Sequence, residues 1–384
     1  MNKKIVWGIV IVVIVAIVLI LSLGSKDAEP VAVEKETIEI GAALMLTGPT
    51  ALLGELQQKG INLALNKINA EGGINGRPLE IVVEDAMYNP KQAVSAYQAL
   101  KQRGLRNFII DGSPIVAATR QLIVDDGNFS IAPVATAPSY FDGDSQTCRI
   151  SLTAKTIAPS TSEYLLKKGY KKIAILVSDN EYGHGWVDEF NKVYPVNGGT
   201  ILATEFYGGE VAGNDYRTNI TKIKAVQAQV DAIVYLNAFA TIESMLKQMK
   251  DLGITKPLIS DFSTLTNPGL KDATLLEGVE FLNYEYDGKD LPTDSEKTKA
   301  FKQAYRAAYN SDPIYLAAGH YEVTILLADA IKAVGEDPQK IAEYVSNLKN
   351  YDGITGTFSF NSDCEVDRNV VFQKVVNGKF EEIK

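Results

Sequence analysis

The strongest constraint on this chain is an alternation. From residue 37 onward, short apolar runs take turns with longer segments that carry apolar side chains at helical spacing. "LEIVVED" reads as a strand, "NPKQAVSAYQALKQRG" as a helix with Asn89 as N-cap and Pro90 at its first position, and "NFIID" as a strand. "SPIVAATRQLIVDDG" then reads as a helix and "FSIAP" as a strand. After residue 150 the rhythm restarts. "KKIAILVSD", "TILATEFY", "VDAIVYLNA" and "KPLIS" are predicted strands, with helices over "YGHGWVDEFNKV", 217–228 and 241–253 between them. Strands alternating with helices of this length mean βαβ units on a parallel sheet. Two successive runs predict an α/β protein of two doubly wound lobes, while a single (β/α)8 barrel would need a similar number of strands. Beyond 285 the pattern is helical and closes on a hairpin-like pair, "GTFSF" with "RNVVFQKVVNGKF".

The 384 residues suffice for two ordinary domains, and 46% hydrophobic against 22% charged residues is a globular balance. The formal net charge is −9 and no Lys/Arg stripe is present, which argues against a nucleic-acid partner. Lys3 and Lys4 precede an uncharged apolar run over 5–23. That run exceeds the usual core of a cleaved signal and suits an anchor whose lysines stay in the cytoplasm; a cleaved signal is the alternative. Either way the bulk of the chain is expected outside the cytoplasmic membrane. No cysteine follows the run, so a lipid-modified N-terminal cysteine is excluded. Residues 25–36 are charged and without apolar periodicity, and read as a linker. Cys148 and Cys364 lie far apart in sequence; a disulfide is allowed in an exported protein, but the expectation is two buried thiols.

In open α/β sheets ligands sit beyond the carboxyl ends of the strands. That rule selects the loop before Glu55, the helix start at Ser113, and the stretch "IAPVATAP", where Pro133 and Pro138 stiffen a loop holding Thr136. Ser113 before Pro114 reads as the N-cap of its own helix or as an anion contact at a helix N-terminus. Thr136 either satisfies a turn or presents its hydroxyl and neighbouring N–H groups to a ligand. Signatures of catalysis are missing: there is no G-x-S-x-G, no H-E-x-x-H and no phosphate-binding loop. "GHGW" reads as a helix start, and His184 and His320 have no evident nucleophile partner. The two His and two Cys make no metal-ligand spacing. A non-enzyme without metal or cofactor is expected, with an amidase or hydrolase as the weaker alternative.

Taken together, "IGAALMLTGPTALLGE", "INAEGGINGRPLEIVVED", "YNPKQAV", "IAPVATAP", "DNEYGHG" and "YDGITGTFSFNSD" resemble the extracytoplasmic solute-binding proteins of branched-chain amino-acid (Leu/Ile/Val-binding) ABC transporters, from residue 37 to the C-terminus. The resemblance implies a type I periplasmic-binding fold of two lobes joined by three crossings near 151–156, 281–287 and 351–357. Lobe one would be 37–152 with 285–352, and lobe two 153–284 with 353–384. It implies a ligand carboxylate held by Ser113, Val134 and Thr136, and Tyr182 closing from the second lobe. It also implies Phe239 where the family carries another aromatic, Asp261 as the ammonium partner, and Leu53 at the cleft mouth. The apolar lining of Leu53, Phe239 and Phe262 favours an aliphatic or aromatic ligand. The partner implied is an ABC permease, served by a monomer. A ligand-sensing receptor subunit is the alternative, since related lobes occur in receptors, as is binding of an amide or a non-amino carboxylate.

Overall fold

A computed structural model describes residues 36–137, 143–208, 214–236, 242–262, 270, 272–284, 286, 288–377 and 379–383. From residue 37 on they form one parallel and one mainly parallel sheet, both flanked by helices. The first contains β1 (Ile38–Leu44), β2 (Leu79–Asp85), β3 (Asn107–Ile110), β4 (Phe129–Ala132) and β5 (Thr147–Arg149) in the order β2-β1-β3-β4-β5. Its crossover helices are α1 (Ala51–Ala70), α2 (Pro90–Gln102) and α3 (Ser113–Asp125). Helix α4 (Ala154–Lys167) leads into the second run. There β6 (Lys172–Ser178), α5 (Glu181–Val193), β7 (Thr200–Tyr207), α6 (Arg217–Val226), β8 (Ala232–Leu236), α7 (Ile242–Asp251), β9 (Leu258–Asp261) and β10 (Glu280–Tyr284) follow in turn. The two doubly wound runs read from the alternation are thus present as two sheets, and no single barrel closes.

The chain then returns through α8 (Glu296–Tyr309), α9 (Tyr315–Val334) and α10 (Pro338–Ser346). Helix α9 packs along α1 on the first sheet. A Cβ on Gly60 would stand 2.1 Å from the Ala317 carbonyl oxygen, so only glycine allows α1 and α9 to approach this closely. The closing elements pair differently from expectation. β11 (Tyr351–Gly353) pairs with β12 (Gly356–Phe358), whereas β13 (Val370–Val376) pairs with β14 (Lys379–Glu382) and runs antiparallel to β10. Gly356 at φ +107° and Asn377 at φ +51° lie at the two turns, which splits the anticipated single hairpin into two.

Three chain segments meet beside the sheets. Leu152 N–H donates to the Tyr284 hydroxyl at 3.2 Å, and the Tyr284 ring stacks on Tyr315 with centroids 3.5 Å apart. The Ile150 carbonyl accepts from both the Tyr315 hydroxyl (3.1 Å) and Arg368 Nε (2.8 Å). The same guanidinium reaches Thr355 and lies over the Phe358 ring at 4.4 Å.

Two expectations are corrected here. Phe358, Phe360, Cys364 and Val366 belong to the core under the first sheet, so the last passage to the second sheet falls between Val366 and Val370 and not at 351–357. The partition at 352/353 therefore moves with it. The cysteines are not two thiols: Cys148 on β5 is bonded to Cys364, across 216 residues of sequence. Sequence spacing carries no information about that proximity, which arises only when the last segment folds back on β5. Among the described residues no helix is long and apolar enough to cross a membrane; the apolar run 5–23 lies outside them.

Replacing both cysteines by serine is expected to lower stability by about 2–5 kcal/mol, read as an earlier urea midpoint. An unchanged midpoint would mean that the core contacts of Phe358, Phe360 and Val366, the Arg149–Glu365 pair and the Arg368 junction hold the returning segment without the disulfide.

Candidate functional site

In each sheet the strand order reverses beside its first strand, between β1 and β3 in one and between β6 and β8 in the other. At such switch points the flanking loops diverge and leave a crevice. In the first sheet the crevice is flanked by the loops after Leu44 and Ile110; in the second, one flank is the turn into α5. Helices α3 and α5, one from each sheet, touch.

Ser113 does not cap its own helix. Gly112 is the N-cap, at φ +92°, and makes no side-chain cap. The Ser113 side chain turns instead to the loop after β4, where its Oγ accepts from Thr136 N–H at 3.2 Å and Ala137 N–H at 3.3 Å. A hydroxyl offers two acceptor positions and one donor. With both acceptors used, what remains is the O–H, suited to an acceptor such as a carboxylate.

The loop itself is held from several sides. Val134 N–H donates to Asp111 Oδ1 (2.7 Å) and the Val134 carbonyl accepts from Gly112 N–H (2.9 Å). Ala135 exchanges hydrogen bonds with the Ser151 hydroxyl at 3.1 and 3.0 Å. The guanidinium of Arg149, wholly buried, donates to the carbonyls of Ala135 and Ala137 at 2.7 Å each and pairs with Glu365. Burial pulls the Arg149 pKa down and the Glu365 carboxylate opposes it. Such a buried cation is tolerated because carbonyl and carboxylate oxygens surround it. The carbonyls are therefore turned towards Arg149 on one side.

On the second sheet Asn180 caps α5 by accepting from Gly183 N–H at 3.0 Å, which confirms "GHGW" as a helix start. A Cβ on Gly183 would lie 2.0 Å from the Ser178 carbonyl oxygen, so glycine lets α5 begin tight against β6. That places Tyr182 over the end of β9, where its hydroxyl donates to Asp261 Oδ2 at 2.5 Å. Asp261 is 1% exposed and next to Phe262, which packs against Tyr284. His184 is bound to Asp179 and stacked on Phe206, away from any catalytic arrangement.

Of the seven anticipated site residues, Ser113, Val134 and Thr136 come together in one loop–helix contact, and Tyr182 and Asp261 form a second pair. Leu53 is buried in the first turn of α1. Phe239 lies outside the described residues. Leu53, Val134, Tyr182 and Phe262 belong to one continuous apolar cluster that draws on both sheets. The sequence reading missed Asp111, Gln57, Ser151 and Arg149, which shape the loop from behind. Asp111 could have been noticed as a carboxylate at the end of an apolar strand.

A family model described as periplasmic binding protein matches residues 37–379. A Leu/Ile/Val-binding protein homolog 1 of Brucella suis is 27% identical over 360 residues, covering 90% of this chain and 93% of that protein. A leucine-, isoleucine-, valine-, threonine- and alanine-binding protein of Pseudomonas aeruginosa is 28% identical over 336 residues, covering 85% and 86%. Among solved structures, the LivJ substrate-binding protein of a branched-chain amino acid transporter from Streptococcus pneumoniae, in complex with isoleucine, superposes with a TM-score of 0.77. It is 28% identical and covers 90% of this chain and 98% of that one.

Ser113→Ala leaves two buried N–H groups of the loop without their acceptor, and should cost about 1–3 kcal/mol of stability, measured by urea denaturation. An unshifted midpoint would show that the serine does not hold the loop.

Proposed function

The chain belongs to the periplasmic binding protein family, and from that premise we propose that it is an extracytoplasmic receptor for a small carboxylate, an apolar or branched-chain amino acid, which it delivers to an ABC importer. The two lobes close on the ligand, and the closed form is the one the permease recognises. In this reading the hydroxyls of Ser113 and Thr136 receive the carboxylate, Val134, whose N–H is already taken by Asp111, contributes its apolar side chain beside them, Tyr182 closes over it, Asp261 takes the ammonium, and Leu53 and Phe239 line the apolar side chain. Residues 5–23 tether the receptor to the membrane, and one copy works alone. No step of chemistry is required of it.

The observation that carries the proposal is the Ser113 hydroxyl, whose acceptor positions are spent on the loop and whose donor is left for an anion. A preorganised loop reduces the ordering cost of binding. The relatives' names, which specify leucine, isoleucine and valine, support the amino-acid class. One observation favours a second reading, a carboxylate without the amine: the Asp261 carboxylate already accepts from Tyr182, so an ammonium has to share it.

The deciding experiment is calorimetric titration of the full chain, after unfolding and refolding to strip bound ligand, with leucine, isoleucine, valine, phenylalanine and their des-amino acids. Tight binding of the amino acids, lost without the amine, is expected. Preference for the des-amino acids would replace the amino-acid reading by the second one, and no binding in either series would overturn both. Thr136→Ala should weaken the ligand by about 1.5–3 kcal/mol, the worth of a hydrogen bond to a charged group, or roughly ten- to a hundredfold in Kd. An unaltered Kd would remove Thr136 from the site. Asp261→Asn should weaken the amino acids and spare the des-amino acids; equal loss for both would remove its ammonium role.

A further inference from the structure

Beneath the carboxylate loop lies a polar chain that the function above does not use. Met45 N–H donates to Gln57 Oε1 (3.0 Å), Gln57 Nε2 donates to Asp111 Oδ2 (2.6 Å), and Asp111 Oδ1 accepts from Val134 N–H (2.7 Å). It ties together the carboxyl ends of β1, β3 and β4. His320, from the second turn of α9, completes it: its Nε2 stands 3.5 Å from Asp111 Oδ2, and both side chains are wholly buried. Helix α9 also packs directly under the loop, since a Cβ on Gly319 would lie 3.5 Å from Pro133 Cβ.

The proton count of this pair is constrained. His320 Nδ1 lies 2.7 Å from the Leu316 carbonyl oxygen, which can only accept, so Nδ1 carries a proton. A neutral imidazole then leaves Nε2 as a bare acceptor, and it has no hydrogen-bond partner. Facing it is a carboxylate oxygen, a second acceptor. Two acceptors opposed in a buried site, one of them charged, are costly on both counts.

We infer that Asp111 and His320 hold one proton between them, and that this proton makes the pair a neutral, positioning support for the ligand loop. Whether the proton sits on the carboxyl or makes an imidazolium, the pair has no net charge. Burial pushes Asp111 up and His320 down, both of which favour the uncharged form of each group. Loss of the proton would leave a bare anion under a loop that faces a ligand carboxylate. Other charged groups nearby are engaged. Asp85 accepts from Leu46 and Thr47, Glu322 from Ile354 and Thr355, and Glu55 pairs with Lys59 on the outer side of α1. The Tyr315 hydroxyl donates to the Ile150 carbonyl.

The shared proton stands by itself; its consequence for binding rests on the solute-receptor reading. The chain has two histidines, so 15N-histidine spectra of the full chain can be assigned with His184→Gln, a substitution at the half-exposed one, and the Asp111 signal in 13C-aspartate spectra by its loss in Asp111→Asn. The expected result is one proton on the pair at pH 7, as neutral carboxyl with neutral imidazole or as carboxylate with imidazolium, unchanged from pH 5 to 8. An ionised Asp111 beside a neutral His320, or a neutral Asp111 beside an imidazolium, overturns the inference. L-leucine is the binding probe. Its affinity should fall at least fivefold between pH 7 and 9.5 in the parent, whereas His320→Gln, whose amide can donate to an ionised Asp111 with no proton left to lose, should show only the smaller fall that leucine's own ammonium causes as it deprotonates. Parallel profiles overturn the coupling to the loop. Absence of L-leucine binding overturns the amino-acid reading and leaves the proton to the spectra.

Discussion

One backbone carbonyl, that of Ile150, carries much of the architecture. It sits where the chain first leaves the five-stranded sheet and accepts from Tyr315 and Arg368, which belong to later returns of the chain. The next N–H but one, on Leu152, meets Tyr284. Three passages between the sheets are thereby fixed to one another by hydrogen bonds to groups that would otherwise be buried without partners. The aromatic stack of Tyr284 on Tyr315 excludes water from that junction and adds to its stability.

The same economy governs the loop over 133–137. Its N–H groups are taken by Asp111, Ser151 and Ser113, and two of its carbonyls by Arg149. Arg149 follows Cys148 and Glu365 follows Cys364, so the covalent link and the ion pair clamp the same two segments. Buried ion pairs are weak sources of stability, because desolvation offsets their attraction, but they are specific about geometry. Here that specificity is spent on aiming the loop.

Local signals in the sequence carried the strands and helices well. Asn89 before Pro90 caps α2 as expected, accepting from Lys91 and Gln92. The strand runs "LEIVVED" and "TILATEFY" are strands from end to end. The short β5, whose three residues "TCR" have no apolar pattern, was not legible, because it is a strand only through pairing with β4. The N-cap reading of Ser113 failed for a related reason: Gly112 can take φ +92°, which moves the cap back one residue and frees the serine.

Sequence alone determined the two βα runs, the stiff proline-bounded loop, the exclusion of common catalytic motifs, and the family whose motifs those segments resemble. These depend on periodicity and on residues adjacent in the chain, where short-range sterics and hydrogen bonding decide the outcome. Tertiary structure alone decided that Cys148 meets Cys364, that Tyr182 meets Asp261, and that His320 faces Asp111. Each of those pairs is separated by between 79 and 216 residues, or lies on different elements of the fold. Their proximity follows from how sheets and helices pack around a common core, which no local pattern encodes.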